Sequence, residues 1–540
     1  MVDGVAGGTG GDGGRKKVSS GGRKGLSDGV HHGLEGDGEK SAAAEVRTGR
    51  SAGSVGVRLS TILPVTRFIA CDDIVARGCH DDPDLCKPGD VFVARLAAGS
   101  DGHEAAARAI ARGVSGIIAE RIIPTFGTPL CIVPDTAWAQ ARLEQALVGD
   151  PAHRLKVIAV TGTSGKTTTA WLVAAVLSEA GHVVGVLSDI GCLDANATEP
   201  VAADLGQPGV LAKWLARLEA GGCSHAVVEV SSAMLSQRML AGVPCDTVVV
   251  TNLARAHLDD HGSVEAYHEI KGRIVEGLTS DGCLVANVDD PRVRRLVARW
   301  SADGPGRGQA GAVIGVGLCR PAELSATAVE RSLGGQTFLI RHGGHSVAVG
   351  VSTPVASFVR DALLAAAVGL RHGVPLELVA RGLEATGSVT GRLDRLRRGQ
   401  EAHVFVDHPT SGHALATTLA SLRRLTPGKL VVIAEEEWAE DFGGGHRFAC
   451  RAARWCNESL VVPSDILHPS AGRRQISAYA RIDRLLSRLG RHDCVLLLGT
   501  RLPSGGGPSD PGESVPLAAL VDAWLAAAHP AVWGSGRRAA

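Results

Sequence analysis

The chain has 540 residues, equal numbers of basic and acidic side chains (56 each) and 44% hydrophobic residues. A chain of this length is too long to fold around a single hydrophobic core, which predicts about three domains. The balanced charge excludes a global field that favours nucleic acid or a membrane surface, and no apolar run reaches the roughly 18 residues of a membrane span.

The N-terminal residues are rich in glycine and charge. They hold almost nothing that could form a core, so we predict a disordered tail over residues 1–55. The N-terminus lacks an apolar secretory segment, and the twelve cysteines form no C-x-x-C pair. We therefore expect reduced thiols and a cytoplasmic protein. Cys71, Cys79 and Cys86 lie near one another, but their wide spacing favours buried thiols over a metal site.

Short strands and helices alternate over residues 56–153. Lys87–Ala94 is typical of a turn into a strand, Ala105–Gly113 of a helix with a glycine stop, and Ser115–Glu120 of another strand. The pattern predicts a small N-terminal α/β domain.

The most informative segment is VIAVTGTSGKTTT, Val157–Thr169. It predicts an apolar strand, a glycine turn and a helix that begins near Lys166 and ends at Gly181. The two glycines let backbone N–H groups turn inward as an anion nest, the lysine brings a positive charge, and the Thr167 hydroxyl can ligate Mg²⁺. The residues expected to bind the nucleotide here are Gly162, Thr163, Ser164, Gly165, Lys166, Thr167 and Thr168.

From 154 to 388 the alternation predicts a doubly wound parallel sheet. The predicted strands are Val157–Thr161, Val183–Leu187, Ala226–Val230, Thr247–Asn252 and Cys283–Val288, and the predicted helices lie near 166–180, 208–220, 263–277 and 360–372. Residues 389–540 restart the pattern and predict a C-terminal Rossmann-like domain. Its predicted strands are His403–Asp407, Lys429–Glu435, Ser459–Asp465 and Cys494–Thr500, before a last helix near Pro516–Ala528.

Polar residues follow the phosphate loop in a suggestive order. Glu229 lies near a strand end, His257 follows the next strand, and Lys271 lies on a helix that Ser263 caps. Ligands of open α/β sheets bind at the carboxyl ends of strands, where a carboxylate and an imidazole suit Mg²⁺ beside phosphates. Taken singly, each residue also fits a structural role: a salt-bridge partner, a helix cap and a solvated helix face.

The motifs TGTSGKTTT, EVSS, TNLARAHLDDHG, AYHEIK and NVDDP occur in this order. Together they resemble the Mur ligases, most closely the UDP-N-acetylmuramoyl-tripeptide synthetases. The resemblance runs from about 85 to 500, with KPGDVFVA and DGH before the loop and GRLDRL and VFVD after it. It implies a three-domain α/β architecture that binds a UDP-sugar peptide, ATP with Mg²⁺, and an amino acid. From the balanced charge and the lack of an apolar span we expect no nucleic-acid or membrane partner, and we expect a monomer, although the sequence does not determine the oligomeric state.

The resemblance also implies a reaction and roles for single residues. The substrate carboxylate attacks the γ-phosphate of ATP, and the amino group of the added amino acid displaces phosphate from the acyl phosphate. Lys271 matches a lysine that CO₂ carbamylates. The catalytic residues by this resemblance are Lys166, His257 and Lys271. The metal ligands are Thr167, Glu229, His257 and Lys271. Further ATP contacts are Arg392 and Asp407, and the sugar-peptide contacts are Thr198, Ser231 and Gln237.

Departures from the family pattern lie mostly outside the phosphate site. Ser357 and Phe358 replace the His-Asn pair that reads adenine, and Asp465–His468 replaces the Asp-Asn-Pro-Arg motif that captures the amino acid. Two interpretations stay open: an active ligase, with a changed amino acid, or a diverged paralogue that binds nucleotide or a cell-wall intermediate without ligation. An unrelated P-loop kinase or ATPase would explain the loop but not the downstream order.

Overall fold

The computed structural model describes residues 56–97, 100–194, 198–199, 205–254, 263–303, 313–389, 391–463, 473–499 and 517–528. The tail predicted over 1–55 lies outside these residues. Within them, no helix combines the length and the apolar character that a bilayer crossing needs. Every cysteine is a free thiol, including Cys71, Cys79 and Cys86.

The first region, residues 56–154, is built on a small sheet. Its strands are β1 (Val57–Arg58), β2 (Arg67–Ile69), β3 (Val75–Ala76), β4 (Cys79–His80), β5 (Val91–Val93), β6 (Leu96–Ala97), β7 (Ser100–Asp101), β8 (Gly116–Ala119) and β9 (Leu130–Ile132). Its helices are α1 (Leu59–Ile62), α2 (Ala106–Ala111) and α3 (Thr136–Leu147), with 3₁₀ helices at Gly102–Ala105 and Pro151–Arg154. The sheet order is β2-β9-β8-β5-β4, with only the β2–β9 pair antiparallel. Asp135 begins α3 because its carboxylate accepts the Trp138 N–H at 2.9 Å.

The central region, residues 156–386, contains the phosphate loop. Its strands are β10 (Lys156–Thr161), β11 (Val184–Ser188), β12 (Gly191–Leu193), β13 (Thr198–Glu199), β14 (His225–Glu229), β15 (Cys245–Val250), β16 (Leu278–Asn287), β17 (Val313–Gly317), β18 (Leu324–Ser332), β19 (Gly335–His342) and β20 (His345–Val351). Its helices are α4 (Lys166–Glu179), α5 (Val210–Ala220), α6 (Ser232–Ser236), α7 (Val264–Gly272), α8 (Pro291–Asp303), α9 (Ala356–Arg371) and α10 (Leu376–Thr386), with a 3₁₀ helix at Arg273–Gly277.

These strands form one sheet in the order β13-β12-β11-β14-β10-β15-β16-β17-β18-β19-β20. The pairs from β11 to β18 are parallel, which confirms the doubly wound prediction. Both ends of the sheet carry antiparallel strands that the sequence analysis did not predict. Ile158 and Val160 of β10 face one buried core, and Val157 and Ala159 face the other, so helices cover both faces.

Helix α4 is buried on more than the single face that its spacing predicts. Leu172 and Ala174 are buried as well as Val173 and Val176. The additional cover comes from α10, where a Cβ at Gly382 would lie 2.7 Å from the Cα of Val176. The glycine therefore permits a close helix–helix contact that the sequence of α4 alone does not reveal.

The third region, residues 391–528, forms a separate sheet. Its strands are β21 (Asp394–Leu396), β22 (His403–Asp407), β23 (Leu430–Glu435), β24 (Glu458–Val462) and β25 (Cys494–Leu498). Its helices are α11 (Gly412–Leu425), α12 (Glu436–Glu440), α13 (Gly445–Ala452), α14 (Arg473–Leu486) and α15 (Leu517–Ala528). The order is β21-β22-β25-β23-β24, parallel except at β21. The α/β fold class is confirmed, whereas the domain boundaries predicted at 55, 153 and 388 stay predictions.

Candidate active site

The phosphate loop joins β10 to α4, as the sequence predicts. Gly165 begins the helix with φ 81°, and Gly162 has φ 151°. A Cβ at Gly162 would lie 1.9 Å from Thr251 Oγ1, and one at Gly165 would lie 2.5 Å from Asp361 Oδ1. Both positions therefore require glycine for conformation and for space.

Asn252 holds this loop, and the sequence analysis missed that role. Its carbonyl accepts the Thr163 N–H at 2.9 Å, its Oδ1 accepts the Ser164 N–H at 3.1 Å, and its Nδ2 donates to the Ser164 carbonyl at 2.8 Å. The Thr163 and Ser164 amides of the loop therefore already have partners, and the anion nest at the two glycines stays a prediction. The amides that remain for an anion are those of Gly165 and the first turn of α4, where the helix dipole is positive. An asparagine directly after a strand end was the available signal.

Glu229 lies beside Lys166, although helices α4 and α5 and strands β11 to β13 separate the two residues in the sequence. The register pairs Val160 of β10 with Glu229 of β14, and Lys166 Nζ lies 3.5 Å from Glu229 Oε1. Glu229 is 1% exposed, and Oε2 accepts the Asp189 N–H at 3.2 Å. Oε1 has no hydrogen-bond partner among the described residues. Burial raises the pKa of the Glu229 carboxyl, and the Lys166 ammonium opposes that shift.

Lys271 of α7 is buried behind the loop. Its Nζ donates to Thr161 Oγ1 at 3.3 Å and lies 5.2 Å from the centroid of the Tyr267 ring. Burial lowers the pKa of the Lys271 amine well below its usual value, and the Lys166 ammonium lowers it further, against the effect of Glu229. The amine is therefore biased towards its neutral, nucleophilic form. The structure places Lys166, Glu229 and Lys271 in one electrostatic cluster.

A cavity of about 350 Å³ opens in front of the loop, between the central and third regions. The predicted nucleotide-binding residues that line it are Ser164, Gly165, Lys166, Thr167, Thr168, Arg392 and Asp407. Gly162 and Thr163 lie in the loop but do not line this cavity. Thr163 Oγ1 instead receives the Ala254 N–H at 3.0 Å and lies 3.3 Å from the Tyr267 hydroxyl.

Arg392 connects the third region to the phosphate loop. Its Nη2 donates to Thr167 Oγ1 at 3.0 Å, its Nη1 bonds the His408 carbonyl, and its Nε is buried without a partner in the described part of the chain. Asp407 is anchored differently. It accepts hydrogen bonds from the Thr418 hydroxyl at 3.0 Å and from the Leu393 N–H at 3.2 Å. Burial raises the pKa of Asp407, whereas Arg392 lowers it.

Asp361 is a second residue that the sequence analysis missed. It lies on α9, lines the cavity and touches Gly165, yet it is 7% exposed and has no ion pair or hydrogen bond to the described residues. Burial raises the pKa of its carboxyl to about 8. A buried acid at a phosphate loop is therefore neutral near pH 7 and ionises just above it.

Comparisons with known proteins fit this arrangement. The family profile "Mur ligase middle domain" matches residues 160–369. UDP-N-acetylmuramoyl-L-alanyl-D-glutamate–2,6-diaminopimelate ligase of Chlorobaculum tepidum is 32% identical over 369 residues, which cover 66% of this chain and 72% of that protein. UDP-N-acetylmuramyl-tripeptide synthetase of Roseiflexus sp. is 30% identical over 404 residues, covering 70% and 76%. The chain belongs to the Mur ligase family.

Solved structures show the same fold for this Mur ligase. A UDP-N-acetylmuramoyl-L-alanyl-D-glutamate–2,6-diaminopimelate ligase superposes with a TM-score of 0.65 at 20% identity, covering 89% of this chain and all of that one. The MurF ligase of Thermotoga maritima in complex with ADP gives a TM-score of 0.52 at 20% identity, covering 79% and 94%. These similarities show the fold. The description of the site in this Mur ligase is based on the residues of this chain alone.

The predicted sugar-peptide contacts of the Mur ligase and its remaining predicted metal ligand lie in different parts of the chain. Ser231 begins α6, where its Oγ accepts the Met234 N–H at 3.1 Å. Gln237 ends α6 and lines a cleft with Arg95 and Glu144 of the first region. Thr198 lies in β13, opposite Leu193. His257 lies outside the described residues, and no group of three metal-binding side chains occurs within them.

Proposed function

We propose that this chain is an ATP-dependent amide ligase that adds an amino acid to UDP-N-acetylmuramoyl-dipeptide. The observation that carries the proposal is Glu229 Oε1, a buried carboxylate oxygen that faces Lys166 at 3.5 Å without a hydrogen-bond partner in the described chain. A group of this kind is costly unless a ligand satisfies it. The relatives are named as ligases of this class, which favours an active enzyme over an impaired paralogue.

The triphosphate of ATP would occupy the cavity in front of the loop. Lys166 and the free amides at the start of α4 supply positive charge where the β- and γ-phosphates would lie. Arg392 lines the same cavity from the third region, and its buried Nε has no acceptor among the described residues. The substrate carboxylate then attacks the γ-phosphate, which leaves ADP, and catalysis is mostly the stabilisation of charge on the transferred group.

The residues present fit magnesium. The Thr167 hydroxyl and the orphaned Glu229 oxygen are hard oxygen donors beside the phosphate position, and such donors suit Mg²⁺. When bound, the ion would neutralise phosphate charge. Arg392 Nη2 now bonds Thr167 Oγ1, so this guanidinium would have to release the hydroxyl for a metal. We assign Thr167 and Glu229 as ligands, with His257 as a further ligand by family resemblance.

Lys271 is suited to carbamylation. A neutral amine adds to CO₂ and loses one proton, which converts a potential cation into a carboxylate. Burial and the Lys166 ammonium lower the pKa of the Lys271 amine and so favour its neutral form, which is the form that reacts with CO₂. A carbamate on Lys271 would also offer a negative charge to the Lys166 ammonium.

The sugar-peptide substrate would bind on the side of the central region that faces the first region, where Gln237 lies. The amino acid is not identified, because the third region lacks the family's capture motif and Asp465–His468 lies outside the described residues. Its amino group displaces phosphate from the acyl phosphate, and the amide bond forms.

The test is phosphate release from ATP by the full-length protein with UDP-N-acetylmuramoyl-dipeptide and a panel of amino acids. We expect one or a few amino acids to stimulate release and to yield a tripeptide product detected by mass spectrometry. If no amino acid stimulates release while ADP still binds, the ligase proposal is wrong and the diverged nucleotide-binding interpretation replaces it.

A further inference from the structure

A second cavity of about 350 Å³ lies away from the phosphate loop. Its walls come from α3 of the first region, the 3₁₀ helix Pro151–Arg154, the turn after α6 and the 3₁₀ helix Arg273–Gly277. Its apolar lining includes the buried Leu235 and Val243. An apolar cavity with a few polar groups is the usual form of a small-molecule site.

The polar groups of this cavity are mainly cationic. Arg273 is half-buried, and its guanidinium has no hydrogen bond or ion pair to the described residues. Arg238 is held between two carboxylates, because its Nε donates to Asp135 at 3.2 Å and its Nη1 to Glu276 at 3.0 Å. His153 adds an exposed imidazole at the edge. Glu276 is the one acidic residue among those that line the cavity, and it pairs with Arg238 and not with Arg273.

The backbone at Arg238 supports a functional interpretation. Arg238 has φ 57°, a left-handed conformation that is unfavourable for a residue with a side chain. Arg238 comes just after α6, and at this turn the side chains of Gln237 and Arg238 lie in different cavities. Gln237 lines the cleft with Arg95 and Glu144, whereas Arg238 lines the second cavity. The turn thus presents one side chain to each cavity.

Trp138 supplies a flat apolar surface. It lies on the first turn of α3 and lines the cavity, and its indole N–H has no partner in the described part of the chain. An indole beside an unpaired guanidinium suits a ligand with a flat apolar body and a carboxylate, because the ring packs on the indole while the acid pairs with arginine.

We propose that this cavity binds a small organic anion, an aromatic or similarly flat carboxylate, between Trp138 and Arg273. None of its lining residues belongs to the nucleotide cavity, and the site is separate from the ligase reaction proposed above. Because its walls come from the first and central regions, an occupant contacts both.

The probe is naphthalene-2-carboxylate, titrated calorimetrically into the full-length protein, with the uncharged naphthalene-2-carboxamide as its isostere. We expect saturable binding of the carboxylate and roughly tenfold weaker binding of the amide. Arg273→Gln should weaken the carboxylate roughly tenfold and leave the amide unchanged. The matched control is Arg341→Gln, an exposed arginine that donates to Thr327 on a distant strand, and it should leave both ligands unchanged.

The proposal is wrong if the carboxylate and the amide bind with equal affinity, or if Arg273→Gln binds the carboxylate as tightly as the unmodified protein does. It is also wrong if the carboxylate shows no saturable binding up to about 5 mM. If Arg273→Gln does not fold, the ligand pair on the unmodified protein decides the question. A parallel titration with ADP tests the nucleotide site separately. Because the two cavities share no lining residue, failure at one site does not imply failure at the other.

Discussion

The central and third regions are both built on parallel sheets, but the acidic residues at their strand ends differ in hydrogen bonding. In the third region, Asp407 accepts hydrogen bonds from Thr418, Leu393 and His408, and Glu435 accepts the Leu517 N–H at 2.8 Å. In the central region, Glu229 Oε1 and the Asp361 carboxylate have no such partners among the described residues. Carboxyl groups whose oxygens are all hydrogen-bonded by their own chain hold a fold together, whereas a buried carboxyl oxygen without a hydrogen bond indicates where a ligand is expected.

Arg392 crosses between the two regions. It belongs to the third region by sequence, yet it donates to Thr167 of the phosphate loop. Strands β23 and β25 of the third region are buried throughout, and a buried strand requires only apolar side chains. The five predictions below test whether function in this chain concentrates at the central region and at Arg392.

The largest effect is expected for Lys166→Ala. ATP turnover should fall by on the order of 10³, because the substitution removes the ammonium that stabilises the transferred phosphoryl group. Glu229 also loses its ion-pair partner. Lys429→Ala is the matched control, since Lys429 is an exposed lysine of the third region that pairs with Glu458 at 3.3 Å. If calorimetry shows that Lys166→Ala binds ADP with unchanged affinity, the proposed phosphate site is wrong.

For Lys271→Ala we expect a loss of about 10² in turnover, because the variant cannot form the carbamate. Turnover of the unmodified protein should fall in CO₂-free buffer and recover with bicarbonate, whereas the variant should not respond. A bicarbonate-independent unmodified enzyme would contradict carbamylation while leaving Lys271 as a structural residue.

Arg392→Lys should lower turnover roughly tenfold, because a lysine cannot bond Thr167 and the His408 carbonyl with the same fork. Arg397→Lys is an exposed control from the same segment and should be neutral. If both variants behave alike, Arg392 has no special link to the central region.

A smaller effect is expected from pH. The pKa of Asp361 is raised to about 8, so the carboxyl is neutral below that pH and negative above it. Because it touches Gly165, ionisation should repel phosphate and lower ADP affinity a few-fold between about pH 7 and 9. Asp361→Asn should give a flat profile over this range in the same calorimetric titration. A parallel decline in the variant would assign the pH dependence to another group.

The smallest effect is expected for Glu436→Gln. Glu436 is an exposed carboxylate at the start of α12, directly after strand β23 of the third region. If this residue contacts no substrate, turnover should change by less than about twofold, as for a surface substitution. A tenfold loss would show that the third region retains an acidic substrate contact, and the contrast between the regions would not hold.

Much of the fold was predictable because local pattern and burial agree. The apolar runs of β10, β14 and β23 are buried strands, and α4 begins at Lys166 as expected. The antiparallel strands β18 to β20 were not predicted, because their outer faces are exposed and their sequences alternate weakly. Asn252 and Asp361 were missed as site residues because each is an ordinary polar residue until the loop packs against it.

The sequence by itself determined the phosphate loop and the order of Glu229 and Lys271 after it, since glycine conformation and residue chemistry are local properties. Tertiary structure alone decided which of these groups meet. The strand register brings Glu229 to Lys166, burial biases Lys271 towards its neutral form, and the third region brings Arg392 to Thr167. Distances and desolvation depend on neighbours far apart in the chain, and a linear pattern does not contain them.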